Sequence, residues 1–116
     1  MDDAFKATTT GTHGASVVVH VAGRLDAKTA PRLLEHCQGA RATAKHLVLN
    51  LSDVTFLSSS GVGVLLVLAE RAKSEGGSLR IAAPSQAVRA PLELLNLHRF
   101  LTIDGSEGEA LAALGA

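Results

Sequence analysis

A chain of 116 residues has room for one folded domain, spanning residues 1–116, and little for a second. Eleven basic and eleven acidic side chains cancel. A neutral chain without a basic cluster is a poor candidate for nucleic acid or an anionic membrane, and an aromatic content of 3% removes the usual base-stacking platform. The apolar fraction of 47%, without Trp or Tyr, calls for a core of Val, Leu, Ile and Ala. Cys37 is alone and can form no intrachain disulfide, in keeping with a reducing compartment. No apolar run reaches the roughly 18–20 residues of a membrane span. Residues Met1 to Lys6 lack signal-peptide character. The resulting expectation is a soluble, cytoplasmic protein.

In chain order, residues 4–10 are Thr-rich and suit a short edge strand, with Gly11 to Gly14 as the turn. Ser16 to Ala22 is β-branched and reads as the second strand of a hairpin, closed by Gly23-Arg24-Leu25-Asp26. Asp26 suits the N-cap of a helix carrying Thr29, Ala30, Leu33 and Leu34, with Pro31 near its start and an end by Gly39 or shortly after. Leu47 to Leu51 reads as a buried strand, Leu57 to Gly61 as a turn, and a helix follows to about Glu75, stopped by Gly76-Gly77. Leu79 to Ala83 is the next strand. Pro84-Ser85 opens a helix with Val88, Leu92 and Leu95, ended by Asn96. Phe100 to Ile103 and Glu107 to Leu114 supply a last strand and helix. The order β-β-α-β-α-β-α-β-α predicts an α/β fold. Its sheet is mostly parallel, with about five strands begun by an antiparallel hairpin, and is packed by about four helices.

The segment from Asp53 to Gly63 concentrates the chemistry. Ser58, Ser59 and Ser60 lie between an apolar strand and a glycine-bearing helix start. There the backbone N–H groups and the helix dipole favour negative charge. A serine in that place suits phosphorylation, which adds a charge of roughly −2. Two other chemistries fit less well. A hydrolase elbow needs Gly-x-Ser-x-Gly, and Leu57 stands where the first glycine belongs. A P-loop needs a lysine after its second glycine, and none follows Gly63 until Lys73. A capping turn alone is the plain structural alternative. His13, His20, His36, His46 and His98 are scattered, and the adjacent His36 and Cys37 diverge on a helix, so no metal ligand set is expected. Asp26, Asp53 and Asp104 read as caps of helices and turns. On the central helix a wheel puts Val62, Leu65, Leu66, Ala69 and Ala72 on the sheet-facing side. Gly63, Glu70, Arg71 and Ser74 lie opposite, with Val67 in their midst as an exposed apolar residue that either docks a partner or is ordinary surface.

Gly23-Arg24-Leu25-Asp26, Leu49-Asn50-Leu51, Ser59-Ser60-Gly61-Val62-Gly63-Val64, Gly76-Gly77 and Ala110 to Leu114, in that order over nearly the whole chain, resemble a STAS domain. More narrowly they resemble the bacterial anti-sigma factor antagonists. The resemblance implies a partner-exchange switch. The unphosphorylated antagonist binds an anti-sigma factor that is also a serine kinase, and a sigma factor is released. Phosphorylation then weakens the complex and a phosphatase resets it. It also implies no catalytic activity, no cofactor and no metal, and a monomer or weak dimer. The family acceptor is the first serine or threonine of Asp-Ser-(Ser/Thr)-Gly. Aligned on Gly61 it falls on Ser59, with Ser60 as the second hydroxyl. The acidic residue before it falls on Ser58, which is uncharged and becomes an alternative acceptor.

The docking surface implied comprises Leu57, Ser58, Ser59, Ser60, Gly61 and Gly63, the outward arc with Val67 and Arg71, and Asp26 at the same end of the sheet. Two other functions remain open at this point. One is a STAS interaction subunit of a transport or signalling assembly that is never phosphorylated. The other is a small hydrolase using Ser59, for which no base is identifiable.

Overall fold

Period-two alternation in the two central strands decides which way everything else packs. In β2 (Ser16–Leu25), Val17, Val19 and Val21 face one side of the sheet. Val18 faces the other. In β3 (His46–Leu57), Leu47, Leu49 and Leu51 join the first side and Val48 the second. The computed structural model describes residues 4–115, so the reading of Met1 to Asp3 lies outside them. β1 (Lys6–His13) runs antiparallel to β2, and β3, β4 (Ser78–Ala82) and β5 (Thr102–Asp104) follow in parallel, in the spatial order β1-β2-β3-β4-β5.

Parallel strands added always on the same side, with right-handed crossovers, send every crossover helix to one face. α1 (Ala30–Ala40), α2 (Ser59–Ser74) and α3 (Gln86–Leu94) therefore share the main aliphatic core with the strands, through Leu33, Leu65, Leu68, Val88 and Leu92. α4 (Glu107–Ala113) comes after the last strand and is free to return. It covers part of the opposite face, where Ala110 is buried with Val18, Val48 and Ala82, and Leu111 and Leu114 pack against them.

Several boundaries differ from the sequence expectation, each for a local reason. β1 includes Gly11 to His13, so the hairpin turn shrinks to Gly14-Ala15, with Gly14 at φ +62°. β3 continues past Leu51 to Leu57, because register shifts after His20 and after Gly23 on β2 keep Asp53, Val54 and Phe56 paired. α1 begins at Ala30 and not beside Asp26. The buried face of α2 includes Val64 and Leu68, while Leu66 and Ala69 are half-buried at its flank. This helix packs on α1 as well as on the sheet, so its buried arc is wider than one stripe. Leu95 and Phe100 are 55% and 68% exposed, and β5 starts only at Thr102. The helix stops hold as read. Gly76 sits at φ +82°, the Gly77 N–H donates to the Ala72 carbonyl at 2.7 Å, and Asn96 is left-handed at φ 59°.

Cys37 is fully buried in the main core. Desolvation pushes its thiol up to about 12, against a smaller opposing effect of the Arg41 charge. A thiolate-selective reagent near neutral pH should leave the folded protein unmodified and label one site once denaturant is added; rapid labelling without denaturant would contradict this packing.

Candidate functional site

β2 and β3 end side by side, with Leu25 opposite Leu57. The chain then turns into α2 through Ser58, which is extended at φ −92°, ψ 175° and occupies the N-cap position. Its backbone N–H donates to the Leu25 carbonyl at 3.0 Å, and its own carbonyl accepts from the Val62 N–H at 2.9 Å. Its hydroxyl oxygen accepts from the Gly61 N–H at 3.3 Å. Gly61 is buried here, because a Cβ on it would lie 2.6 Å from the Leu25 carbonyl oxygen and 2.6 Å from Leu57 Cδ1. Ser59 and Ser60 are the first two residues of the helix, and both are exposed. Amides in this first turn have no acceptor within the helix, and the dipole of a sixteen-residue helix adds partial positive charge.

The loop from β2 to α1 stands beside this turn. Asp26 Oδ1 accepts from the backbone N–H groups of Lys28 at 3.0 Å and Thr29 at 3.2 Å. The Thr29 hydroxyl accepts from the Asp26 N–H at 2.9 Å and donates to the Arg24 carbonyl at 2.8 Å. Asp26 thus closes a tight turn one step before the helix, and Thr29 holds the N-cap position of α1. Desolvation pushes the Asp26 carboxyl pKa up, but the Thr29 and Lys28 amides, the Thr29 hydroxyl and the Arg24 charge outweigh it. The net shift is downward from 3.8.

Between α1 and α2 runs an open apolar groove of about 330 Å³. Ala30, Pro31 and Leu34 line it from α1, Val64 and Val67 from α2, and Ala27 and Ser60 complete it. Val67 is 39% exposed. Of the residues read as a docking surface, Ser59, Ser60, Val67 and Arg71 are exposed together on α2 and its start, Ser58 and Gly63 are half-buried, and Asp26 lies in the adjoining loop. Leu57 and Gly61 are corrections to that reading: both are buried and position the turn from below. The α1 side of the groove was missed. Its signal is the spacing of Ala27, Ala30, Pro31 and Leu34, at i, i+3, i+4 and i+7.

The remaining candidates are engaged elsewhere. His20 Nε2 and Asp53 Oδ2 lie 2.7 Å apart on strands β2 and β3, so Asp53 is no cap. Arg80 grips both oxygens of Asp104 at 2.8 and 3.1 Å. His36 bonds Thr9 and His46 bonds Ser78, at 3.0 and 2.8 Å. Among the described residues no three His, Cys, Asp or Glu side chains converge as metal ligands.

Two predictions follow the capping geometry. Ser58→Ala should lower stability by about 1 kcal/mol, whereas Ser58→Asp, which caps equally well, should be near neutral in denaturant titrations; equal losses would remove the cap assignment. Because the folded pKa of Asp26 is depressed, its stabilisation is fully present above 3.8 and is lost as pH falls through the lower folded value. Asp26→Asn should therefore show a shallower fall in stability below that pH than the parent protein, and parallel curves would refute the assignment.

The family model described as "STAS domain" matches residues 6–110. The anti-sigma F factor antagonist of Paenibacillus polymyxa is 28% identical over 104 residues, which cover 88% of this chain and 89% of that protein. A crystal structure of an anti-sigma factor antagonist from Mycobacterium paratuberculosis is 29% identical, with a TM-score of 0.85, covering 97% of this chain and 96% of that one. The Bacillus cell fate determinant SpoIIAA, solved in its phosphorylated form, shares the fold at 22% identity with a TM-score of 0.70, over 96% of this chain and 99% of that one. With nearly its whole length matched in one continuous segment, the chain belongs to the STAS domain family.

Proposed function

We propose that this protein is an anti-sigma factor antagonist. The whole chain works as one STAS unit in the cytoplasm, as a binding protein and kinase substrate without catalysis of its own. The α1–α2 groove and the start of α2 dock an anti-sigma factor, and the docked state releases a sigma factor. The partner carries serine kinase activity, its phosphate goes to Ser59, and a phosphatase restores the free hydroxyl.

One observation carries this reading. Ser58 holds the helix cap, while Ser59, one residue on, is exposed at the helix start next to the groove lined by Ser60, Val64 and Val67. The relatives named as antagonists support it, as does the existence of the same fold in a phosphorylated form. Ser58 also accounts for the departure from the family pattern. Asp and Ser are comparable N-caps, so the uncharged residue preserves the turn that presents Ser59.

The physical consequence of phosphate on Ser59 differs between the free and docked states. In the free protein the dianion lies by the open amides of the first turn and in water, so the fold tolerates it. In the complex it must be desolvated against an apolar groove and, opposite, the phosphates of the kinase's own ATP. An unpaired charge in that position costs several kcal/mol.

The expected outcome is that kinase-dependent phosphate maps to Ser59 by site-resolved mass spectrometry. Ser59→Ala should abolish incorporation and retain partner binding. The phosphorylated protein should bind at least tenfold more weakly, about 1.4 kcal/mol, with an unchanged circular dichroism spectrum. Phosphate on Ser58 would overturn the acceptor assignment. Unchanged partner affinity after modification would overturn the switch. Absence of phosphate under both growth and stress would favour an interaction subunit of a transport or signalling assembly.

A further inference from the structure

A second concave site lies on the other side of the 26–29 loop. It is a cavity of about 530 Å³ lined by Phe5, Arg24, Asp26, Lys28, Thr29 and Arg32, with Ala4. Three cations from separate parts of the chain meet there: Arg24 near the end of β2, Lys28 in the loop and Arg32 in the first turn of α1. The sequence shows no basic cluster, and folding builds one.

The site is organised in three ways. The register shift between Gly23 and Arg24 re-aims Arg24, as bulges beside functional sites do. Gly23 sits at φ +95°, and a Cβ on it would lie 2.7 Å from the Ala4 carbonyl oxygen, so glycine is what lets Ala4-Phe5 close over this wall. Both guanidinium groups lie over aromatic rings, Arg24 at 4.1 Å from the Phe56 centroid and Arg32 at 4.9 Å from that of Phe5. Stacking fixes the planar fork and reduces the entropy lost when its N–H edges bind a ligand.

The charge is not cancelled locally. Asp26 is the one acid lining the cavity. Its Oδ1 is committed to the Lys28 and Thr29 amides, and its Oδ2 stands 3.6 Å from Arg24. Among the described residues Lys28 and Arg32 have no carboxylate partner. Counting Arg24, Lys28 and Arg32 against Asp26 leaves an excess of two positive charges in a chain that is neutral overall.

We propose that this cavity binds a phosphate dianion, either the free ion or a monoester. Two stacked arginines and a lysine match its charge and its several acceptor oxygens, and a monocarboxylate would leave one cation unanswered. The ligand would straddle the loop whose Ala27 lines the α1–α2 groove, so occupancy is communicated to the groove through a single turn.

The test is titration of the full chain with inorganic phosphate and with glycerol phosphate at low ionic strength, read by backbone amide chemical shifts. The expected result is saturable shifts at Lys28, Thr29, Arg32 and Ala27. Arg32→Gln and Lys28→Gln should each weaken binding at least tenfold while the remaining spectrum stays superimposable. Tighter binding of glycerol phosphate would identify an ester ligand, and tighter binding of inorganic phosphate would identify the free ion. Absence of saturation, or equal affinity in the variants, overturns the proposal. So does binding that appears only after Asp2 and Asp3 are changed to Asn, which would mean that the chain's own acids fill the site.

Discussion

The contact between the end of β2 and the start of α2 is the constraint on which the rest of the site depends. The Leu25 carbonyl accepts from the Ser58 N–H, and Gly61 sits so close that no side chain fits between them. A single glycine therefore fixes the depth to which α2 descends onto the sheet. That depth determines how far Val64 and Val67 stand from α1, and so whether the groove exists. It also determines that the chain reverses at Ser58, leaving Ser59 as the first residue outside. The hydrogen bond by itself is an ordinary one, worth about 1 kcal/mol. Its importance is geometric, because a rigid aliphatic core lies on both sides and cannot absorb a displacement without opening voids.

The three consecutive hydroxyls are chemically alike and acquire different tasks from position alone. Ser58 is extended and spends its oxygen on the Gly61 amide. Ser59 is exposed in the first helical position, and Ser60 lines the groove. A helix start has more donors than one cap can satisfy. The same turn thus holds itself together with one serine and still offers open N–H groups beside the next. This is why the turn keeps its shape although the family's acidic residue is absent and, under the antagonist reading, why capping and modification fall to adjacent residues.

Local signals were legible in the sequence and long-range ones were not. Gly76-Gly77 and Asn96 end helices through backbone conformations that those residues adopt cheaply, and both were readable in isolation. The β-branched run Ser16 to Ala22 and the apolar run Leu47 to Leu51 marked the core strands and, with the order of elements, the parallel sheet. The continuation of β3 was hidden because Ser52 and Asp53 look like a turn. They stay in the strand only because β2 shifts register beside them and His20 pairs with Asp53. Leu57 and Gly61 read as surface because they border a serine loop, and nothing local says that Leu25 lies beneath them. Asp26 read as a helix cap, yet its own turn takes its carboxylate first. The cation cluster is the extreme case. Arg24, Lys28 and Arg32 are evenly spaced four apart but lie on a strand, a loop and a helix, so their spacing says nothing about which of them share a face.

The size of the groove bears on how a single phosphate could control it. Ala, Pro and Val offer small surfaces, and a contact burying about 100 Å² of apolar area contributes only about 2.5 kcal/mol. Desolvating an unpaired dianion costs several kcal/mol, which exceeds that contribution. A larger or more aromatic groove would bind a partner too firmly for one charge to reverse. The aliphatic, nearly aromatic-free composition that makes the core unremarkable also keeps the exposed face weak enough to switch. Under the antagonist reading, modest affinity is a requirement of the mechanism. The groove meets it by keeping most of Val64 inside and exposing only 39% of Val67.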